Sequence, residues 1–371
     1  MTNLHGIIFA YHSNDSLGEL SKPRNTCSLP YGGRYRLIDF MLSNMVNAGI
    51  SDIGLIVHEN YQSLLDHVGS GKDWDLSRKR GGLRILPPFS TEENAHRVYS
   101  GTLDALSGVS SYLSGIKQEH VVLAWGDMAL NIPLDTVYRQ HMERGSDVTM
   151  VCSDRHYGVP SATQYLTTTD DGRVIDVLTN PSTAPEGSEF LNICILSKAL
   201  LLDLIADCAA HDVHTFTRGA LLPRLGQLAI YSYTHTGYVA RFDSVRDYFD
   251  RSMDLLQPEV RRQLFLPDAP IRTKDRSDAS TYYSPDSTVT NSLIADGCTI
   301  EGVVENSIIF RGVVMEKGAH IRNCILMQGT TVHAGADLAY AIADKNVTVE
   351  TGHCLLGNAA FPIAIGKNST V

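Results

Sequence analysis

Nothing in this chain is long and apolar enough to span a bilayer: no apolar run approaches the roughly 20 residues a span requires. Met1 to His5 has no basic stretch leading into an apolar one, so no secretory signal is expected. The seven cysteines are Cys27, Cys152, Cys194, Cys208, Cys298, Cys324 and Cys354. None falls in a C-x-x-C spacing, which excludes the common zinc and redox motifs. Their odd number, without a signal, points to reduced, buried thiols and a cytoplasmic protein. Positive charge is scarce: 31 Lys and Arg stand against 41 Asp and Glu, for a net charge of -10. That excludes the basic face a nucleic-acid partner usually needs but leaves room for small basic pockets. Neither G-x-G-x-x-G nor G-x-x-x-x-G-K-[ST] occurs, so no glycine-rich phosphate cradle is written in the chain.

What is present fills 371 residues, too many for one ordinary core, so two domains are expected. Up to Leu256 the sequence alternates apolar runs with helical patterns. Strands are expected at Gly6–Ala10, Asp52–Val57, His120–Ala124, Asp147–Cys152 and Leu191–Leu196, and helices at Tyr35–Ala48 and Leu103–Leu113. Such alternation implies an α/β domain, residues 1–256, with a mostly parallel, Rossmann-like sheet and ligands at the carboxyl ends of its strands. Residues 257–284 are charged, carry proline and have no clear period, and are read as a connector. From residue 285 to 371 the period changes. Val303, Ile309, Met315, Ile321 and Met327 recur every six residues, and Leu326, Val332 and Leu338 continue the step in a shifted register. One inward aliphatic per hexapeptide is the signature of a parallel β-helix, a fold that often joins subunits.

The first apolar run, Gly6–Ala10, reads as the opening strand of a nucleotide-binding domain. The loop after it should be rich in glycine, because only glycine lets backbone N–H groups close on a phosphate. Here it is Tyr11-His12-Ser13-Asn14-Asp15-Ser16.

Five stretches carry a family resemblance: LGELSKPRNTCSLPYGGRYRLIDFMLSNMVNAGI (Leu17–Ile50), GSGKDWDLSRKRGGLRILPPF (Gly69–Phe89), YSGTLDAL (Tyr99–Leu106), LAWGD (Leu123–Asp127) and the C-terminal hexapeptides. Together they resemble the glucose-1-phosphate adenylyltransferase (ADP-glucose pyrophosphorylase) family over nearly the whole chain. The resemblance implies a nucleotidyltransferase domain followed by a left-handed β-helix, assembled as tetramers. The family makes ADP-glucose from ATP and glucose 1-phosphate for glycogen synthesis, using a glycine-rich loop, an arginine, two lysines and two Mg²⁺-binding aspartates.

Set against that pattern, the loop glycines have become Tyr11, His12 and Asn14, and its arginine Ser16. A lysine has become Thr26 and the lysine for the sugar phosphate has become Asn180. One metal aspartate is retained as Asp127, whereas the other aligns with Arg241, which is expected to repel a metal and pair with Asp127. Gly101, Thr102 and Asp104 keep the likeness of the nucleotide pocket. Losing one charged contact in phosphoryl transfer can cost roughly 3–5 orders of magnitude in rate. The resemblance therefore points to the family's non-catalytic, D-type regulatory subunits, partnered by a catalytic subunit in a hetero- or homotetramer. No cofactor and no metal are expected on this chain, Mg²⁺ belonging to the catalytic partner. The alternatives are an active sugar-phosphate nucleotidyltransferase with an altered loop and, from the hexapeptides alone, an acyltransferase, which would not need the front domain.

Arg24, Arg34 and Arg36 surround Tyr31-Gly32-Gly33, a segment that in the family contributes to a regulatory anion pocket between the domains. They are candidates for a phosphorylated effector, with Arg311, Lys317 or Arg322 completing the site. The plainer reading is surface arginines, or an ion pair of Arg36 with Asp39. Arg78-Lys79-Arg80 reads as a solvated turn, with a subunit contact or an anion site as its other readings. His211 and His214, flanking Asp212, are assigned to a surface loop.

Overall fold

The computed structural model describes residues 3–12, 14–88 and 99–371. Ser13 of the loop and Phe89 lie outside the described residues. The front domain is built on a nine-stranded sheet. Its strands are β1 (Leu4–Ala10), β2 (Asp52–Val57), β3 (Gly82–Leu86), β4 (His120–Trp125), β5 (Val148–Ser153), β6 (Gln164–Thr168), β7 (Val174–Thr179), β8 (Ser188–Ser197) and β9 (Ile230–Thr234). The main path runs β7-β6-β8-β4-β1-β2-β3, with β5 between β8 and β9. β1 is parallel to both β2 and β4, and every residue of β1 is buried, which is why Gly6–Ala10 is continuously apolar; the strand's one polar side chain, His5, meets the Tyr112 hydroxyl at 3.0 Å. The sheet is more mixed than alternation suggested. β8 runs antiparallel to β4, β5 and β6, and a hairpin of β6 and β7 extends one edge.

Helix α1 (Leu37–Asn47) is buried nearly all round, Asp39, Ser43 and Asn44 included, because it is covered on two sides. Ile38, Met41, Leu42 and Met45 pack on the sheet, where Gly6 makes room for Met45: a Cβ there would lie 2.5 Å from its sulfur. Leu37 and Phe40 face the other way. The expected helix Leu103–Leu113 is instead two, α2 (Thr102–Gly108) and a short turn of helix Ser110–Gly115, broken at Val109. Within the expected connector the chain forms a helix at Pro258–Leu264, and the first strand of the second domain is Tyr282–Tyr283.

The second domain is a left-handed β-helix of three five-stranded parallel sheets. Its repeat corrects the simple period of six. Tyr283 pairs with Ile300, Met315 with Val332 and Val332 with Val349, so these coils are 17 residues long, while the one from Ile300 to Met315 is 15. A 17-residue coil has two six-residue sides and one of five, which is the register shift seen in the sequence. Two positions expected inward are accordingly not. Val304, not Val303, is buried in the coil, and Met327 points out of it towards the front domain. At one corner Asn291, Asn306, Asn323 and Tyr340 stack with positive φ. Asparagine accepts that conformation readily, whereas Tyr340 is strained there and is held by its ring contact with Phe249.

The two domains share one apolar seam. Leu17, Leu20, Tyr31, Leu37, Phe40 and Phe249 meet Ile308, Phe310, Ile325, Met327 and Ile342 in a continuous cluster. Beside it Arg24, 2% exposed, donates two hydrogen bonds to Asp344, 0% exposed, at 2.8 and 2.9 Å. Arg24 is thus committed to joining the domains. Removing one partner of such a pair strands a buried charge, so Arg24→Met is expected to destabilise the protein by about 3–5 kcal/mol. Combining it with Asp344→Leu should recover much of the loss in urea unfolding. A double variant no more stable than Arg24→Met would show that the pair is not coupled.

Candidate functional site

β1 and β4 are parallel neighbours in a register that pairs Phe9 with Trp125. The residues just beyond them, His12 and Asp127, therefore leave the same edge of the sheet side by side. They line a cleft of about 700 Å³ together with Asn14, Ser16, Gly101, Thr102, Asn180 and Arg241. Eight of the positions singled out in the sequence thus converge on one cavity at the carboxyl end of the parallel strands.

Four charged groups at the cleft meet in two pairs. His12 Nδ1 lies 3.1 Å from Asp127 Oδ2. The hydrogen bond to Asp127 raises the affinity of His12 for a proton above its ordinary value, despite burial. For Asp127, burial works against the charge, but the His12 hydrogen bond and the His12 and Arg241 charges outweigh it and hold the carboxyl below its usual range. Arg241 does not pair with Asp127 as expected. It donates to Glu189 Oε1 at 3.0 Å, and Glu189 is fully buried. The reason lies in the register: β8 runs antiparallel to β4, which carries Glu189 past the end of β4 to meet Arg241. Glu189 Oε2 also accepts from the backbone N–H groups of Tyr157 and Gly158, at 2.6 and 3.2 Å. A Cβ at 158 would lie 2.4 Å from Thr163 Oγ1 and 3.1 Å from Arg241 Nε, so glycine leaves the room this approach uses.

The altered loop is equally engaged. Tyr11 packs its ring 5.3 Å from Tyr99 and 5.2 Å from Trp125, and burial pushes its phenol up. Asn14 donates from Nδ2 to the carbonyl of Asp243 at 3.0 Å and accepts from the N–H of Ser16 at 3.0 Å. Thr26 is 2% exposed and does not line the cleft; its N–H donates to the carbonyl of His12. Gly101 sits where a Cβ would lie 2.3 Å from the His214 carbonyl, so close backbone packing suffices to require it. Asp104 accepts from the N–H of Ser100 at 3.0 Å. Asn180 is exposed at the far end of the cleft.

These residues do not fit a catalytic Mg²⁺. Asp127 is engaged by His12, its neighbour is a guanidinium, and no group of three or more metal-ligating side chains occurs among the described residues. His211 and His214 are separately paired, with Asp207 and Asp212. Arg78 bonds Asp75 in an exposed turn.

A second, cationic cavity opens beside the domain seam, with lobes of about 360 and 330 Å³. Arg34 and Arg36 line it, as does Arg311. Lys317 and Arg322 do not; they pair with Asp286 and Asp337 on the β-helix. Arg36 donates to the carbonyl and hydroxyl of Ser63, while Asp39 caps α1 by accepting from the Arg36 N–H and engages His67 at 2.5 Å. The sequence reading missed His67, Lys274, Arg276, Lys345 and Lys367. The last four lie in the connector and the final coils, far from Arg36 in the chain, and no local signal marks them. Arg311 is 6% exposed, and its Nε and Nη2 have no hydrogen-bond partner. Burial, with the charges of Arg36 and Arg24, brings Lys345 down to about 7.

The titration of His12 and Asp127 has a definite sign. Raised above 6.5, His12 contributes stability fully below that value and loses it as the pH climbs through its raised value. Lowered below 3.8, Asp127 contributes fully above that value and loses it as the pH falls through its lowered value. The stability difference between the native chain and His12→Gln should be largest between these limits and shrink at alkaline pH. In an NMR titration His12 should have a midpoint above 6.5; one below it would contradict the pairing.

Comparison with known proteins agrees with this architecture. Residues 6–230 match the nucleotidyl transferase family and residues 279–358 the GlmU-like C-terminal hexapeptide family. The chain is 36% identical to the glycogen biosynthesis protein GlgD of Bacillus subtilis, over 85% of this chain and 82% of that protein. For the protein of the same name in Geobacillus stearothermophilus the identity is 37%, over 85% and 81%. It is 29% identical to the glucose-1-phosphate adenylyltransferase of Thermotoga neapolitana, over 87% of this chain and 77% of that one.

Proposed function

The chain belongs to the glucose-1-phosphate adenylyltransferase family, and within it we propose that this protein is a regulatory subunit that has lost catalysis and modulates ADP-glucose synthesis by a catalytic partner. The observation that carries this reading is the two ion pairs at the cleft, His12 with Asp127 and Arg241 with Glu189. Transfer from ATP relies on positioning and on charges that neutralise phosphates. Here the retained carboxylate is held by an imidazole, the guanidinium by a buried glutamate, and Tyr11 and Asn14 fill the loop. The GlgD proteins of Bacillus subtilis and Geobacillus stearothermophilus, more similar to the chain than the adenylyltransferase compared above, support the same reading.

The isolated chain is expected to form no ADP-glucose from ATP, Mg²⁺ and glucose 1-phosphate. Turnover at the ~1–10³ per second usual for enzymes would refute the reading. Arg241→Asp should not restore activity. It leaves Glu189 buried beside a second carboxylate and Asp127 still paired with His12, so its measurable effect is loss of thermal stability.

The regulatory part of the proposal rests on the cavity at the domain seam, where Arg311, buried and 3.8 Å from Asp278 without a hydrogen bond to it, and its cationic neighbours suit a phosphorylated metabolite. The assembly proposed is a tetramer with catalytic subunits, joined through both domains. Light scattering of the co-expressed chains should give one mixed species, and its rate should respond to inorganic phosphate or a sugar phosphate. Arg311→Met and Lys345→Met on this chain should each reduce that response at least tenfold in effector concentration, about 1.4 kcal/mol or more. Two separate species at micromolar concentration, or an unchanged response, would count against this role.

A further inference from the structure

Residues 270–281 join the two domains as a strap without helix or strand. Its first half is pinned to the front domain. Ile271 enters the seam cluster. The N–H of Arg272 donates to Ser43 Oγ at 2.8 Å, and Arg272 Nη1 donates to Asn47 Oδ1 at 2.9 Å. Lys274 donates to the Asp66 carbonyl at 2.6 Å. The far end is pinned to the first turn of the β-helix. There the N–H of Gly297 donates to the Ala279 carbonyl at 2.7 Å, and Thr281 Oγ1 donates to the Ala295 carbonyl at 2.6 Å. Between these moorings Arg276, Ser277 and Asp278 make no hydrogen bond among the described residues. They border the cationic cavity, Arg276 beside Arg36 and Asp278 in the lobe that holds Arg311.

In that lobe Asp278 Oδ2 lies 3.8 Å from Arg311 Nε. The gap is too wide for a hydrogen bond. Nε and Nη2 of Arg311 both remain without one, although the residue is 6% exposed. Buried N–H groups are ordinarily satisfied. The carboxylate of Asp278 therefore supplies charge to Arg311 but not the geometry its donors need. Arg34 and Arg276 also act on Arg311, with like charge. Asp296 adds a weaker pull than Asp278 and makes no ion pair with Arg311 among the described residues. A phosphate suits these donors better, because its oxygens can accept from Nε and Nη2 together, in the two-pronged contact a guanidinium favours. It cannot do so while a carboxylate stands at the same nitrogen, since two anions held that close repel.

We propose that Asp278 is an internal competitor for the anion at Arg311: the strap holds a carboxylate where a phosphate would bind, and a phosphate gains the site by displacing it. The inference rests on the reading of the seam cavity as an anion site, and adds the residue that sets the concentration at which the site fills. Displacement is easy by construction. Asp278 is exposed, so its hold on Arg311 is that of a solvated ion pair. Its stretch of the strap has no hydrogen bond to break. Arg276, two residues before it, borders the same cavity as Arg311, so a strap that withdraws its carboxylate still contributes a cation.

Calorimetric titration of the full chain with inorganic phosphate, at low ionic strength where screening is least, reads this directly. The native chain should bind with a dissociation constant of about 1–5 mM for an ion of this size. Asp278→Asn keeps the shape and removes the charge, and should bind phosphate about threefold more tightly or better, the scale of an exposed ion pair. Asp296→Asn makes the same change in net charge and should shift the constant by less than about twofold. Arg311→Met should weaken binding about tenfold or more, and in that background Asp278→Asn should no longer tighten it. The proposal is overturned if Asp278→Asn binds phosphate no more tightly than the native chain while circular dichroism shows it folded. It is equally overturned if Asp296→Asn tightens binding as much, or if Asp278→Asn still does so beside Arg311→Met. Saturable binding that is equal in the native chain and Asp278→Asn leaves the anion site standing and removes only the competitor. No saturable binding by either up to ~50 mM, roughly tenfold above the expected constant, defeats both.

Discussion

The contact on which the molecule depends is the apolar seam between α1 and the β-helix. α1 has no solvent face to spare: Ile38, Met41, Leu42 and Met45 belong to the sheet, and Leu37 and Phe40 to the seam. One helix therefore fixes the distance between two domains whose internal repeats are unrelated. Met327 and Tyr340 give up the ordinary behaviour of their positions to serve that surface, one pointing out of its coil and the other accepting a positive φ. The Arg24–Asp344 pair adds direction rather than adhesion. A desolvated ion pair contributes little net stability, but it penalises every arrangement that separates its partners.

Both cavities follow from that placement. The strand and turn leading into α1 carry Arg34 and Arg36 to the edge of the seam, where Arg311 and Lys345 of the β-helix meet them. Like charges are thereby gathered in a chain that is acidic overall, and burial, with those charges, brings Lys345 down to about 7. On the other side of the sheet edge, the loop after β1 begins the segment that reaches Arg24, with Thr26 bonded to the backbone of His12. The cleft and the seam are thus two ends of one continuous stretch of chain.

The cleft shows how a phosphate-handling framework can keep its shape after its charges are redirected. Half-buried Asp127 and buried Arg241 each keep a partner; either one unpaired would be costly in a cavity wall. His12 and Glu189 supply those partners. The result is a pocket at which four charges meet in two pairs.

The sequence alone settled the domain types, because periodicity is local. An apolar run in the opening strand, a helix apolar on two sides and an inward aliphatic at nearly every sixth residue each show within a few turns of chain. The family resemblance, carried by Leu17–Ile50 and the shorter motifs, identified which site positions had changed. What only the tertiary structure decided were the pairings. Arg241 chose Glu189 over Asp127 because an antiparallel strand brings a distant carboxylate to it. Arg24 left the group of candidate effector arginines because Asp344, 320 residues away, neutralises it. Lys274, Arg276, Lys345 and Lys367 joined that cavity unannounced, since no spacing records which residues two domains will press together. The 17-residue coil stood between these cases. Its register shift was visible in the sequence, but only the stacked strands show that one side of each triangle is a residue shorter than the other two.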